Sequence, residues 1–238
     1  MISILGALML IAQAQAGTIV WKKLPPPREV TEYSLYTEEA KGYMRLVSDT
    51  ATYKGKPAIR VILIIGLSNI EKNFIMRDST FLYLDRETWK PFYSTRFVRR
   101  PGYKLAYEAT YDSVVSIKLL RGNERKETTL EVVPEMYDNQ ELFLVFRRFP
   151  FEKGNTGEIV DVIPSALTYV RIQIEAVGDA KVVDAEGDSV EVAHLRLTML
   201  SRHPDVYLEK KPPYRVVRYE DPSTGILMVL RKRHTGLV

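Results

Sequence analysis

From Tyr33 onward, apolar residues recur at every second position, and that period leaves the chain few ways to fold. In "YKLAYEATY", Tyr103, Leu105, Tyr107, Ala109 and Tyr111 share one face while Lys104, Ala106, Glu108 and Thr110 take the other. In "YVRIQIEAV", Val170, Ile172, Ile174 and Ala176 stand opposite Tyr169, Arg171, Gln173 and Glu175. Successive side chains of a strand point to opposite faces, so this pattern specifies a sheet with one covered face and one wetter face. Two runs, "VILII" at 61–65 and "ILMVL" at 226–230, are apolar on both faces, as in strands covered on both sides or placed where a sheet curls on itself. In "VEVAHLRLTML" the apolar phase slips near Ala193 and His194, which predicts a β-bulge. Turn signals such as "YKGKP", "RRPGYK", "RGNE", "EKGNTGE", "DAEGDS" and "EDPSTG" divide the chain into about a dozen strands joined mostly in sequence, an antiparallel meander.

One stretch departs from this grammar. In "YDNQELFLVFRRFPFEKG", residues 137–154, Asp138 is a good N-cap and Glu141 completes a capping-box-like arrangement. Leu142, Val145, Phe146 and Phe149 then fall at helical spacing on one face, with Arg147 and Arg148 on or beside the other, and Pro150 ends the segment. The pattern predicts an amphipathic helix of about three turns over 138–149 that must bury its stripe against the sheet.

The 238 residues, 45% of them hydrophobic, suffice for a substantial core. Their 34 basic and 30 acidic residues are interspersed, apart from the closing "RKRH", so the continuous stripe of one sign that tracks nucleic acid is missing. There is no cysteine, which removes disulfides, thiolate catalysis, cysteine metal sites and lipid attachment through cysteine.

"MISILGALMLIAQAQAG" is an apolar run of signal-peptide length ending in Ala14-Gln15-Ala16, the small residues that signal peptidase accepts, although no Lys or Arg precedes it. Cleavage after Ala16 is expected, with a periplasmic or extracellular mature protein that has no transmembrane span. Residues 17–32, with "KKLPPPREV", read as an extended proline-rich leader. A single β domain is expected over 33–231, followed by a basic tail at 232–238.

The order of "YKGKPAIRV", "TFLYLDRETWKPFYSTRF", "ATYDSVVSI", "YDNQELFLVFRRFPFEKG", "IEAVGDAKVVDAEGDSVEVAHLRL" and "VYLEKKPPYRVVRYE" resembles a family of exported bacterial β-proteins of unassigned function. That family is related in shape to the LolA/LppX-like half-barrels that handle lipids and lipoproteins. The resemblance implies a strongly curved antiparallel sheet, an open or half β-barrel, with the one helix in or over its concave face as a plug or lid. "YLDRETWKPFYSTRFVRR" and "YLEKKPPYRVVRYED" also echo one another as two similar hairpin corners.

On that basis Tyr103, Tyr107 and Tyr111 together with Leu142, Phe143, Phe146 and Phe149 are the candidate lining of an apolar cavity, since tyrosine offers a ring to a lipid tail and a hydroxyl to its headgroup. The alternative is that helix and sheet pack directly on one another. "DAEGDS" lacks the spacing and terminal glutamate of a calcium loop and reads as a hairpin turn. His194, His203 and Asp205 lack the nucleophile elbow of a hydrolase. No catalytic residue, metal ligand or cofactor is assigned. Two functions remain: an exported cell-envelope protein that binds a lipid or lipoprotein acyl chain, or a non-enzymatic envelope scaffold with a dry core whose partner is another envelope protein.

Overall fold

The alternating segments become strands of one sheet in the computed structural model, which describes residues 19–69 and 71–235. The expected signal peptide, residues 1–16, lies outside the described residues. The chain lays down β1 (Glu29–Tyr36), β2 (Lys41–Tyr53), β3 (Lys56–Asn69), β4 (Phe74–Asp85), β5 (Pro91–Arg100), β6 (Tyr103–Tyr111), β7 (Val114–Arg121) and β8 (Glu124–Glu131) as consecutive hairpins. It then crosses to the far edge of the sheet as β9 (Met136–Asp138). The return path is β10 (Thr156–Ile163), β11 (Thr168–Val183), β12 (Ser189–Thr198), β13 (Asp205–Glu209), β14 (Val216–Asp221) and β15 (Ile226–Thr235). The order across all fifteen strands is β8 to β1, then β15 down to β9, so the first and last strands pair at the centre. Every pairing is antiparallel except β9 with β10. Strand formation begins at Glu29, inside the stretch read as leader, and β15 continues into the stretch read as basic tail.

The sheet is not closed by hydrogen bonds, because β8 and β9 are its two free edges. It overlaps itself instead. Met136, Val160 and Val162 on β9 and β10 pack against Leu105, Tyr107, Ala109, Val115, Ile117 and Leu119 on β6 and β7, forming a core cluster of their own. Beyond β10, a 3₁₀ turn (Pro164–Ala166) adds to this seam, where the Arg121 Nη2 donates to the Ser165 carbonyl at 2.8 Å. An edge tucked under another part of its own sheet has no free ladder to offer. β8 stays outside, and its "ERKETTLE" sequence guards the edge with charge.

The helix is shorter than the sequence pattern predicts. One α turn, α1 (Leu142–Val145), runs into a 3₁₀ turn, Phe146–Arg148. Asp138 is already in β9, and only half of the capping box forms as drawn: the Glu141 Oε1 accepts from the Asp138 N–H at 2.7 Å. The Asp138 carboxylate caps Gln140 instead, at 2.9 Å. At the other end Phe149 is extended (φ −65°, ψ 141°), the conformation that a following proline imposes. The segment is a compact plug within the curl. Arg147 and Arg148, expected beside its polar face, are buried at 4% and 8% exposure, because a plug surrounded by sheet has no solvent side.

Other details follow the sequence more closely. The phase slip at Ala193 and His194 corresponds to a bulge, but the extra residue sits on the partner strand: Ala176 pairs with Leu195 and Gly178 with His194, leaving Val177 over. Gly178 takes the positive φ of +118° that such a kink requires. The two echoing corners are the hairpins β4–β5 and β13–β14, and each shifts register immediately after its tyrosine, Tyr83 and Tyr207. "DAEGDS" is a hairpin turn in which the Asp184 Oδ1 accepts from the Glu186 and Asp188 N–H groups at 3.0 and 2.9 Å.

Candidate functional site

Strand alternation decides what faces the interior. On β4, Met76, Asp78, Thr80, Leu82 and Leu84 share the inner phase, and all but Met76 are buried. The inner faces of β1 to β4, β12 and β15 meet the plug around a cavity of about 370 Å³. Its floor is Leu142, Phe143 and Phe146, and its walls include Leu46, Leu63, Ile65 and Leu197. Four of the seven methionines in the sequence, Met44, Met76, Met199 and Met228, line it as well. Methionine is unbranched and polarizable, and it shapes a wall that can adapt to different apolar guests. Thr37, Leu67 and Ile226 place the opening at the end where the β1–β2, β3–β4 and β14–β15 turns lie.

Phe143 is the fixed point of the floor. Its ring stands edge-on to Tyr33 (5.6 Å between centroids) and tilted against Tyr219 (5.8 Å). Such contacts hold an aromatic in one orientation with modest energy beyond burial. One wall is polar. The Arg96 Nε donates to the Asp78 Oδ1 at 3.0 Å and the Nη2 to the Oδ2 at 2.5 Å, with Asn139 and Gln140 beside them. Burial on its own would lower the Arg96 pKa; the hydrogen bonds and charge of Asp78 outweigh it and raise the value. The Arg96 charge is therefore held against the Asp78 carboxyl, leaving a chamber that is apolar on most sides and polar at one.

The seven candidate residues divide between two compartments. Leu142, Phe143 and Phe146 line the cavity. Phe149 does not: it is buried on the far side of the plug, with Trp21 edge-on at 6.3 Å. Tyr103, Tyr107 and Tyr111 belong to the overlap seam. The strand pair β9–β10 inserts between the tyrosine face and the plug, so the tyrosines meet it and never reach the chamber. The Tyr111 hydroxyl donates to the Asp138 Oδ2 at 2.5 Å and the Ser94 hydroxyl to the same oxygen at 2.6 Å, fastening β9 to β5 and β6. Burial first, and then the Asp138 charge, push the Tyr111 pKa well above its usual value.

A second set of contacts fixes the plug from the side opposite the cavity. The Arg147 Nη1 donates to the Glu29 Oε1 at 2.5 Å, and the Arg215 Nε to the Glu29 Oε2 at 2.7 Å, all three side chains being buried. The Arg148 Nε donates to the Lys22 carbonyl at 3.2 Å, and the Lys22 N–H to the Arg148 carbonyl at 2.7 Å. The proline-rich leader is therefore a strap over the plug. Trp21 donates from Nε1 to the Glu135 Oε2 at 2.7 Å, and Ile19 rests on Gly157, where a Cβ would meet its side chain at 2.4 Å.

Among the described residues, histidine forms no reactive constellation. The His194 Nε2 lies 2.6 Å from the Asp205 Oδ1, and its ring stacks on Tyr207 across β12 and β13. His203 faces the Thr198 hydroxyl at 3.4 Å.

No protein-family model matches the chain, and neither does any curated protein sequence. Among solved structures it is similar to the crystal structure of a β-barrel-like protein of the domain of unknown function DUF1849 from Brucella abortus. The TM-score is 0.57 at 12% identity, over 90% of this chain and 100% of the other. The likeness is one of fold: a mainly β, barrel-like chain. Among the described residues no helix is long and apolar enough to cross a membrane.

Proposed function

We propose that this chain is an exported, non-enzymatic cell-envelope protein that shelters an apolar ligand, a lipid or a lipoprotein acyl chain, in the cavity between plug and sheet. The observation that carries the reading is the chamber itself. Its volume of about 370 Å³ falls within the roughly 300–1,000 Å³ of small-molecule sites. It is walled by leucines, methionines and the plug phenylalanines, with the Asp78–Arg96 pair as a polar corner for a headgroup. A curved sheet open along one seam, with a plug in its concavity, is also the shape that the LolA/LppX-like resemblance implies. The signal-peptide pattern of residues 1–16 supports export.

Protein isolated from an exporting host without detergent, extracted with organic solvent and examined by mass spectrometry, should yield a stoichiometric lipid that is absent from buffer and unrelated-protein controls. An empty extract, together with no binding of a fluorescent fatty acid, would move the assignment to an envelope scaffold. The outward-facing β8 edge is the feature on which that alternative would rest.

A further inference from the structure

Charged residues on the convex face of this sheet are arranged by sign, with one exception. Asp49 stands opposite Arg60, Glu32 opposite Arg45, Glu175 opposite Arg196, Lys181 opposite Glu191, and Glu108 opposite Lys118, which in turn faces Glu127. The exception is a row of three cations. Arg77 on β4 pairs with Arg99 on β5, and Arg99 pairs with Lys104 on β6. All three are exposed, and none makes a salt bridge among the described residues. The other like-charged pair in the described register, Asp205 opposite Glu220, is compensated by Arg196 and Arg218.

Like charges directly opposite one another on neighbouring strands are destabilising. Adjacent strands lie about 4.8 Å apart, so the row is about 10 Å wide, comparable with the screening length at physiological salt, and its charges reinforce one another. The row borders a groove of about 580 Å³ that Arg100 also lines. Two large apolar side chains flank it on the same face, Ile75 at 57% exposure and Phe97 at 54%. Its position ties it to the chamber. Along β4, Ile75 and Arg77 point out while Met76 and Asp78 point into the cavity, so the patch and the cavity mouth share one rim.

We infer that the Arg77–Arg99–Lys104 row, with Ile75 and Phe97, is a docking surface for an anionic phospholipid bilayer. The cations take the headgroup phosphates, and the two apolar side chains enter the interface beside them. The choice of a bilayer over another polyanion rests on the apolar-ligand reading of the cavity, since a lipid leaving the bilayer here would arrive at the chamber's mouth. The closing "RKRH" is not part of this surface: β15 starts at the mouth and runs away from it.

The test is co-sedimentation of the full chain with vesicles of phosphatidylcholine alone and of phosphatidylcholine mixed with phosphatidylglycerol. The apolar N-terminal run favours both vesicle types, so the readout is the excess affinity for the anionic ones. Wild type should show a clear excess that shrinks as salt is raised. Each neutralised cation should cost roughly fivefold, so that Arg77→Gln/Arg99→Gln/Lys104→Gln loses about a hundredfold. Arg60→Gln, which removes a convex-face cation paired with Asp49, should change the excess little. Urea midpoints will show whether the triple variant is folded, and removing mutual repulsion should not lower them. Fatty-acid binding in solution should survive the triple substitution. If it is absent from wild type while vesicle docking persists, the cavity reading fails and the docking surface stands. An excess that is absent in wild type or unchanged in the triple variant overturns the inference, as does preference for an acidic polypeptide over the vesicles.

Discussion

Arg147 of the plug reaches Glu29 at the start of β1, Nη1 to Oε1 2.5 Å, across 118 positions of sequence. Because Arg215 holds the other oxygen of the same carboxylate, Glu29 is the buried counter-ion of two guanidinium groups. Removing the shared acid leaves Arg147 without a counter-ion among the described residues and Arg215 with Glu209 alone, 3.3 Å away, in a medium that solvates them poorly. Glu29→Gln should lower stability by about 3–5 kcal/mol, seen as a lower urea midpoint with an unchanged slope. A loss within a few tenths of a kcal/mol would mean that the cluster is open to water.

A cavity that holds a guest can be filled from within. Met228→Trp projects a larger side chain from a half-buried wall position into the chamber, where there is room for it. The variant should fold and lose most of its affinity for a fluorescent fatty acid. Phe146→Asp is a poorer probe than its place in the sequence suggests: the residue is 1% exposed, so an acid there would unfold the plug before testing uptake.

The interior also holds carboxylates whose charged form is penalised by burial. Burial raises the Asp138, Glu141 and Asp161 pKa values, and the Glu141 Oε2 and Asp161 Oδ1 have no hydrogen-bond partner among the described residues. A folded-state pKa above the unfolded one gives stability that is complete below the unfolded value and declines as pH rises through the folded one. Unfolding free energy should therefore fall as pH climbs from about 4 toward neutrality. Glu141→Gln and Asp161→Asn should flatten that slope in urea titrations across the range, and an unaltered slope would assign it to other groups.

The strap should govern how firmly the plug is seated. Trp21 joins Glu135, Tyr137 and Phe149. Trp21→Ala should cost less than the about 3–5 kcal/mol of a fully buried tryptophan, since Trp21 is half-buried, and should speed amide exchange over 142–149 more than in β2 or β3. Uniform acceleration would mean that the strap stabilises the whole fold and not the plug in particular.

The period of two was legible because each strand has one covered face whatever its partners are. The plug was legible through Asp138, Glu141 and the phenylalanines. What sequence left open was the third dimension. Nothing in "YKLAYEATY" distinguishes facing a plug from facing a tucked-in edge of the same sheet, so sequence groups the tyrosines with the plug while the structure seats them in the seam. The polar corner had a signal that spacing alone supplies: Asp78 falls in phase with Met76, Thr80, Leu82 and Leu84, an acid on an otherwise covered face. The burial of Arg147 had none, since its partner Glu29 lies in a stretch that reads as linker until the first and last strands of the chain are seen to pair.

The overlapping seam has a consequence for size. In a barrel stitched shut by backbone ladders, bore is quantised by strand number and stagger, and can change only by breaking a whole row of hydrogen bonds. Here the last junction is side-chain packing of Met136, Val160 and Val162 on β6 and β7, pinned at one point by the Tyr111 and Ser94 hydroxyls on Asp138. The girth of the scroll is set by how far one margin lies beneath the other, and side chains fix that overlap. A scroll of another width would cost those side-chain contacts and leave every backbone pair of the sheet intact.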